Sequence, residues 1–186
     1  MQLVNWVKGN EIGDREMSKG NIVFLNGVTS SGKTSIVDAI QLRSDPFFYV
    51  VANDLFEQTI GDNFLREDYW KYLSEAIVMM YHTAKLYSDH GKHVLIDGIL
   101  VERPELKPHY TKVKDIFAGY PFYMVEVYCP LDVCRQRNID RGDRSVDQSD
   151  EQHAIMAKGI QYDCTVNTHL NSPLECADLI VKKLFS

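Results

Sequence analysis

The sequence has no long apolar run. Its longest, such as Ile77 to Tyr81, fall far short of the roughly 20 residues that a helix needs to cross a bilayer. A helical membrane protein is excluded. The opening MQLVNWVKGNEIGDREMSKG has no uninterrupted apolar stretch of signal-peptide length, so the expected location is the cytoplasm. Cysteine is sparse: Cys129, Cys134, Cys164 and Cys176 lack the close pairing of a zinc site. A chain of 186 residues needs no disulfide framework, and a reducing compartment fits. No run of Lys and Arg occurs and the net charge is −6, which argues against nucleic acid as the main partner. His82, His90, His93, His109, His153 and His169 show no metal-ligand spacing. There is no repeat, low-complexity tract or interior linker. One domain is expected over residues 21–186, preceded by a mixed polar extension over 1–20.

What is present alternates between two patterns. Short apolar runs read as strands at Asn21–Asn26, Phe47–Ala52, Lys92–Ile96, Phe122–Tyr128 and Cys164–Asn167. Between and after them, helices are expected over Lys33–Arg43, Glu67–His90, His109–Phe117, Leu131–Arg141, Asp150–Gly159 and Pro173–Phe185. Tyr69, Leu73, Ile77, Met80, Ala84 and Tyr87 set the helical period of the longest one. Strands separated by helices imply an α/β protein whose parallel sheet is covered on both faces. Ligands of such sheets sit beyond the carboxyl ends of the strands, so residues just after each strand are the candidates for function.

Directly after the first strand stands Gly27-Val28-Thr29-Ser30-Ser31-Gly32-Lys33-Thr34, which fits G-x-x-x-x-G-K-[ST]. Gly27 and Gly32 permit backbone angles that turn successive N–H groups toward phosphate oxygens. The helix that follows adds its positive N-terminal end, and Ser35 lies in its first turn. Lys33 can reach the β- and γ-phosphates, and Thr34 offers a hydroxyl to Mg²⁺. These features predict a P-loop NTPase fold binding ATP.

Two carboxylates follow strands. Asp54, in Val50-Val51-Ala52-Asn53-Asp54, is placed to accept a proton from an attacking hydroxyl. Asp54-Leu55-Phe56-Glu57 also spells a capping box for a following helix. Asp97, in Val94-Leu95-Ile96-Asp97, has the form of a carboxylate supporting Mg²⁺, or else of a turn former before Gly98. Arg137 and Arg141 share a helical face that Gly142 ends, and Arg144 follows in the loop. Arginines on a lid neutralise a phosphoryl group in transit. The competing reading is a solvated face balanced by Asp140, Asp143 and Asp147. Tyr69, Trp70 and Tyr72 read as helix packing, with acceptor contact as the alternative.

Together these residues resemble the chloramphenicol phosphotransferase-like P-loop kinases, from Asn21 to about Lys182. The resemblance rests on Leu25-Asn26-Gly27 leading into Ser30-Ser31-Gly32-Lys33-Thr34, on Asp54-Leu55 and on Asp97. It rests further on Arg141-Gly142-Asp143-Arg144, Gly159-Ile160-Gln161-Tyr162-Asp163 and Pro173-Leu174-Glu175-Cys176-Ala177. It implies a nucleotide-kinase-like sheet of five parallel strands, use of ATP and Mg²⁺, and phosphorylation of a hydroxyl on a small molecule, with Asp54 matching the family's proposed base. Antibiotic resistance is its sharpest form. The chain departs from the pattern: Gly98 stands where a second acid is expected, Ala157 where the antibiotic enzyme has His, and Asn167 where it has Asp. No glycine follows Arg144 as the pattern expects, and Phe56 to Trp70 is dissimilar. Kinases of other metabolites or of sugar nucleotides, a non-catalytic nucleotide-binding regulator and a mechanical NTPase are the alternatives. Asp54, Asp97 and the arginines favour catalysis, because capture of a nucleotide needs only the loop.

Overall fold

The computed structural model describes residues 18–43, 45–142 and 145–185. Its elements run β1 (Ile22–Asn26), α1 (Lys33–Gln41), β2 (Phe48–Ala52), α2 (Asn53–Glu57), α3 (Asp62–Asp89) and β3 (His93–Gly98). They continue with α4 (His109–Ile116), β4 (Phe122–Tyr128), α5 (Leu131–Arg141), α6 (Gln148–Ile155), β5 (Cys164–Asn167) and α7 (Pro173–Phe185). The five strands form one sheet in the order β2-β3-β1-β4-β5, and every adjacent pair is parallel. The expected α/β fold with a five-stranded parallel sheet is therefore the fold observed.

The strand sequences explain why both faces are covered. Alternate residues point to opposite faces, and here both sets are apolar. Ile22, Phe24, Val94, Ile96 and Met124 pack with Ile77, Met80 and Tyr81 of α3 and Val113 of α4. Val23, Leu25, Leu95, Val125 and Val127 pack with Ile36 and Ile40 of α1 and Ile180 of α7. Phe24 is fully buried at the sheet centre, with its ring 6.1 Å from that of Tyr81. Truncating such a residue to Ala costs about 3–5 kcal/mol. Among the described residues no helix is long and apolar enough to cross a membrane.

The chain leaves β1 toward β2 on one side and crosses from β3 to β4 on the other. The crevice of such a sheet opens where that order reverses, at the carboxyl end of β1.

Several boundaries differ from the sequence reading, each for a local reason. The strand expected to stop at Ile96 runs on through Asp97 and Gly98, which pair with Leu25 and Asn26 of β1. The long helix begins at Asp62, five residues early, and is broken at Asp68 (φ −153°, ψ 86°). The Asp68 carboxylate accepts the Lys71 N–H at 3.2 Å, so it caps the part whose period was legible. The helix expected over Asp150–Gly159 ends at Ile155, because Met156 bridges to Val101 and the Ala157 N–H donates to the Leu100 carbonyl at 2.7 Å. The capping box at Asp54 does not form: the N-cap of α2 is Ala52, and Asp54 lies inside the first turn.

Candidate functional site

The loop from Gly27 to Thr34 joins β1 to α1 at the carboxyl edge of the sheet. A Cβ on Gly27 would lie 2.7 Å from both the Ser31 hydroxyl and the Val127 carbonyl oxygen, so only glycine fits. Gly32 adopts φ 95° and Ser30 φ 56°. Left-handed residues alternating with right-handed ones turn consecutive N–H groups to one side, which makes an anion-binding concavity. Gly32 is the N-cap of α1 and brings no side-chain cap, so the first-turn N–H groups are left for a ligand.

Lys33 leads α1. Its ammonium donates to the Gly27 carbonyl at 2.8 Å and the Val28 carbonyl at 3.0 Å, and stands 4.0 Å from an Asp97 carboxylate oxygen. Thr34 donates its hydroxyl to the other Asp97 oxygen at 2.9 Å. The sheet sets this meeting, because Asp97 pairs with Leu25 on one side and Ala52 on the other. Burial pushes the Asp97 carboxyl above its usual range. Lys33 and the Thr34 bond pull it back down, while Asp54 and Asp38 push it further up. The donor set, one hydroxyl and one carboxylate beside a phosphate-binding turn, has the hard-oxygen chemistry that Mg²⁺ takes along with nucleotide phosphates.

A cleft of about 1050 Å³ runs from this loop across the carboxyl edge of the sheet. Thr29, Ser30, Gly32, Lys33, Thr34 and Ser35 line it, together with Asp54, Asp97, Arg137 and Arg141. The structure thus gathers most of the residues singled out from sequence. Arg144 lies outside the described residues. Arg137 donates to the Ser30 carbonyl at 3.2 Å and to the Thr168 hydroxyl and carbonyl at 3.1 and 2.9 Å, bracing the loop against the turn after β5. Arg141 ends α5, and Gly142 (φ 70°) closes that helix as its sequence announced.

The aromatic triplet divides. Tyr72 packs on Phe64, with ring centroids 5.3 Å apart. Tyr69 and Trp70 line the cleft with Leu73, Ile77, Ile99 and Val101. The Arg103 guanidinium covers Trp70 at 3.8 Å from the ring centroid, a cation–π contact that steadies it.

Four residues escaped the sequence reading. Gln152 of α6 accepts the Thr29 N–H at 2.6 Å. Asn138 and Ser149 are fully buried beside the loop. Asn53, next to Asp54, also lines the cleft. Gln152, Asn138 and Ser149 sit in no motif, so no signal in the sequence marked them, whereas Asn53 directly follows β2. Thr168 had one: it directly follows β5, where ligand-side residues of a parallel sheet are expected.

Phosphate loop, strand order and strand-end carboxylate define a P-loop protein. Solved structures share its fold. The Mycobacterium tuberculosis APS kinase CysC, solved with AMPPNP and APS, matches at a TM-score of 0.64 and 20% identity, over 90% of this chain and 99% of that one. A gluconokinase from Sinorhizobium meliloti 1021 matches at 0.60 and 16% identity, over 91% and 93%. The chain belongs to the chloramphenicol phosphotransferase-like family, whose model matches residues 20–185. A curated relative, "Putative O-phosphotransferase Rv2636" of Mycobacterium tuberculosis (strain ATCC 25618 / H37Rv), is 25% identical over 152 residues. That match covers 69% of this chain and 66% of the relative, just under two thirds of its length.

Proposed function

We propose that this protein is an ATP-dependent O-phosphotransferase that moves the γ-phosphate onto a hydroxyl of a small molecule. One observation carries the reading: Asp54 and Arg141 line the same cleft as the phosphate loop, and a protein that only held a nucleotide would need neither.

In this reading the loop N–H groups and Lys33 hold the β- and γ-phosphates. Thr34 and Asp97 would hold Mg²⁺, which when bound neutralises charge on those oxygens. Asp54 accepts the proton of the acceptor hydroxyl. Arg141 and Arg144 offset charge on the phosphoryl group in transit, and Arg137 braces the loop and borders the nucleotide.

The acceptor half of the cleft bears on the substrate. Tyr69, Trp70, Leu73, Ile77, Ile99 and Val101 give it an apolar wall, and Asp54 and Glu57 give it negative charge. A neutral, partly apolar alcohol suits such a wall better than a highly charged acceptor does. Chloramphenicol, the family's namesake, is the first acceptor to try, and antibiotic resistance would follow from its phosphorylation. The four free cysteines suit a reducing cytoplasm.

The test is a panel of alcohols, neutral and anionic, incubated with Mg-ATP and read by mass spectrometry for phosphorylated product. Product from a neutral alcohol supports the reading. Product only from anionic acceptors would overturn the acceptor assignment, and no product beside intact ATP binding would favour the regulator.

A further inference from the structure

Ser30 is the one non-glycine residue with positive φ among the described residues. It sits in the middle of the phosphate loop, where a side chain resists the left-handed conformation that the loop's concavity needs. Something outside the loop must hold it there.

The surroundings show what does. The Ser30 hydroxyl donates to Asn138 Oδ1 at 2.6 Å, in a fully buried position. Asn138 Nδ2 donates to the Val146 carbonyl at 3.1 Å and to the Ser149 hydroxyl at 2.9 Å. The Ser149 hydroxyl passes its own proton to the Thr29 carbonyl at 3.2 Å. Each donor in this chain has an acceptor and each hydroxyl proton is used once. The amide orientation is therefore fixed, because only the NH₂ end can donate twice. Asn138 and Ser149 are both 0% exposed. A buried amide left half-paired is costly, so this one specifies a single arrangement.

We propose that Asn138 is a positioning residue for nucleotide binding: it holds Ser30 in the left-handed turn and so presets the phosphate loop for the nucleotide's phosphates. It does not reach the phosphates itself. It acts through Ser30, and through Ser149 on Thr29. Asn138 also stands one turn before Arg141 on α5, so one side chain joins the loop to the helix that carries a proposed phosphoryl contact. This proposal rests on the nucleotide-binding reading of the loop.

The test uses a cycle of variants, with affinity for a non-hydrolysable ATP analogue measured by calorimetry and thermal stability measured alongside. Asn138→Ala removes the partner while Ser30 still resists its angle, and binding should weaken about tenfold. Ser30→Gly adopts the same angle without a clasp. In the Asn138→Ala background it should restore most of the affinity while leaving Tm low, because the Val146 carbonyl and the Ser149 hydroxyl still lack the donor that Asn138 supplied. A merely structural Asn138 would move Tm and affinity together. If Asn138→Ala does not fold, Ser30→Ala carries the test: it keeps the resisting side chain, drops the hydroxyl and should lose more affinity than Ser30→Gly. Wild-type affinity in folded Asn138→Ala or Ser30→Ala, or no rescue by glycine, would overturn the proposal. A wild-type protein that binds no analogue would overturn it together with the reading of the loop, and so is told apart from failure of the clasp alone.

Discussion

Replacing Asp54 with Asn separates chemistry from architecture. Asp54 is exposed, lies in the first turn of the five-residue α2, and is not its N-cap. As an acid near a helix N-terminus it contributes about 0.3–1 kcal/mol. Asn keeps the size and removes the charge. Its loss also relieves a repulsion felt by Asp97, so the Mg-nucleotide end of the cleft has no reason to weaken. As a general base, Asp54 is worth roughly 10²–10⁴ in rate, or about 3–5 kcal/mol of transition-state stabilisation. Chemistry therefore outweighs structure severalfold. The assay is threefold: Tm by thermal denaturation, ATP affinity by calorimetry, and kcat for phosphorylation of an acceptor found in the panel. Asp54→Asn should leave the first two near wild type while kcat collapses by two orders of magnitude or more. Retention of most of the transfer rate would refute the assignment, and Asp97 would become the first carboxylate to test as base.

Further outcomes follow from the same geometry. Lys33→Ala should fold, since the ammonium's partners include loop carbonyls and a carboxylate lining the cleft, yet phosphoryl transfer should be lost; wild-type turnover would contradict the loop's role. Arg141→Ala should lower kcat more than ATP affinity, the mark of a contact made in the transition state, and unchanged kcat would return Arg141 to a solvated helix end. His109 is buried with Nε2 at 2.8 Å from the Tyr81 hydroxyl, and burial pulls it down from 6.5 to about 4. The unfolded chain takes up that proton first, so stability falls as pH drops from about 6.5 to 4, by roughly 3 kcal/mol. Denaturant titrations at both pH values check this, and an identical pH slope in folded His109→Asn would contradict it.

The framework was legible because its signals are local. Ile22 to Leu25 are apolar at every position, as a strand covered on both faces must be, and the phosphate loop follows one residue later. The closing strand and helix, Cys164–Asn167 and Pro173–Phe185, occur where the sequence places them. Failures arose where tertiary partners decide. Asp97 was read as following its strand, but pairing with β1 carries β3 through it. Gly159 was read into a helix that ends at Ile155, because pairing with the segment after β3 draws Met156 and Ala157 into extended backbone. Tyr69, Trp70 and Tyr72 were read as helix packing with acceptor contact as the alternative; Trp70 does pack on the core and also lines the cleft with Tyr69, and the break at Asp68 next to them carries no strong sequence signal. Asn138 is an ordinary polar residue on a polar helix in sequence; only the fold brings it against Ser30, 108 positions away.

The central claim is transfer of the γ-phosphate, and the most direct measurement follows the label itself. The wild-type protein, Lys33→Ala and Asp54→Asn are each given Mg-ATP labelled at the γ-phosphate, together with a neutral alcohol acceptor identified in the panel. The label should appear covalently on the acceptor with wild type alone, in proportion to ADP formed. Label released only as inorganic phosphate, or equal transfer by all three proteins, would contradict it.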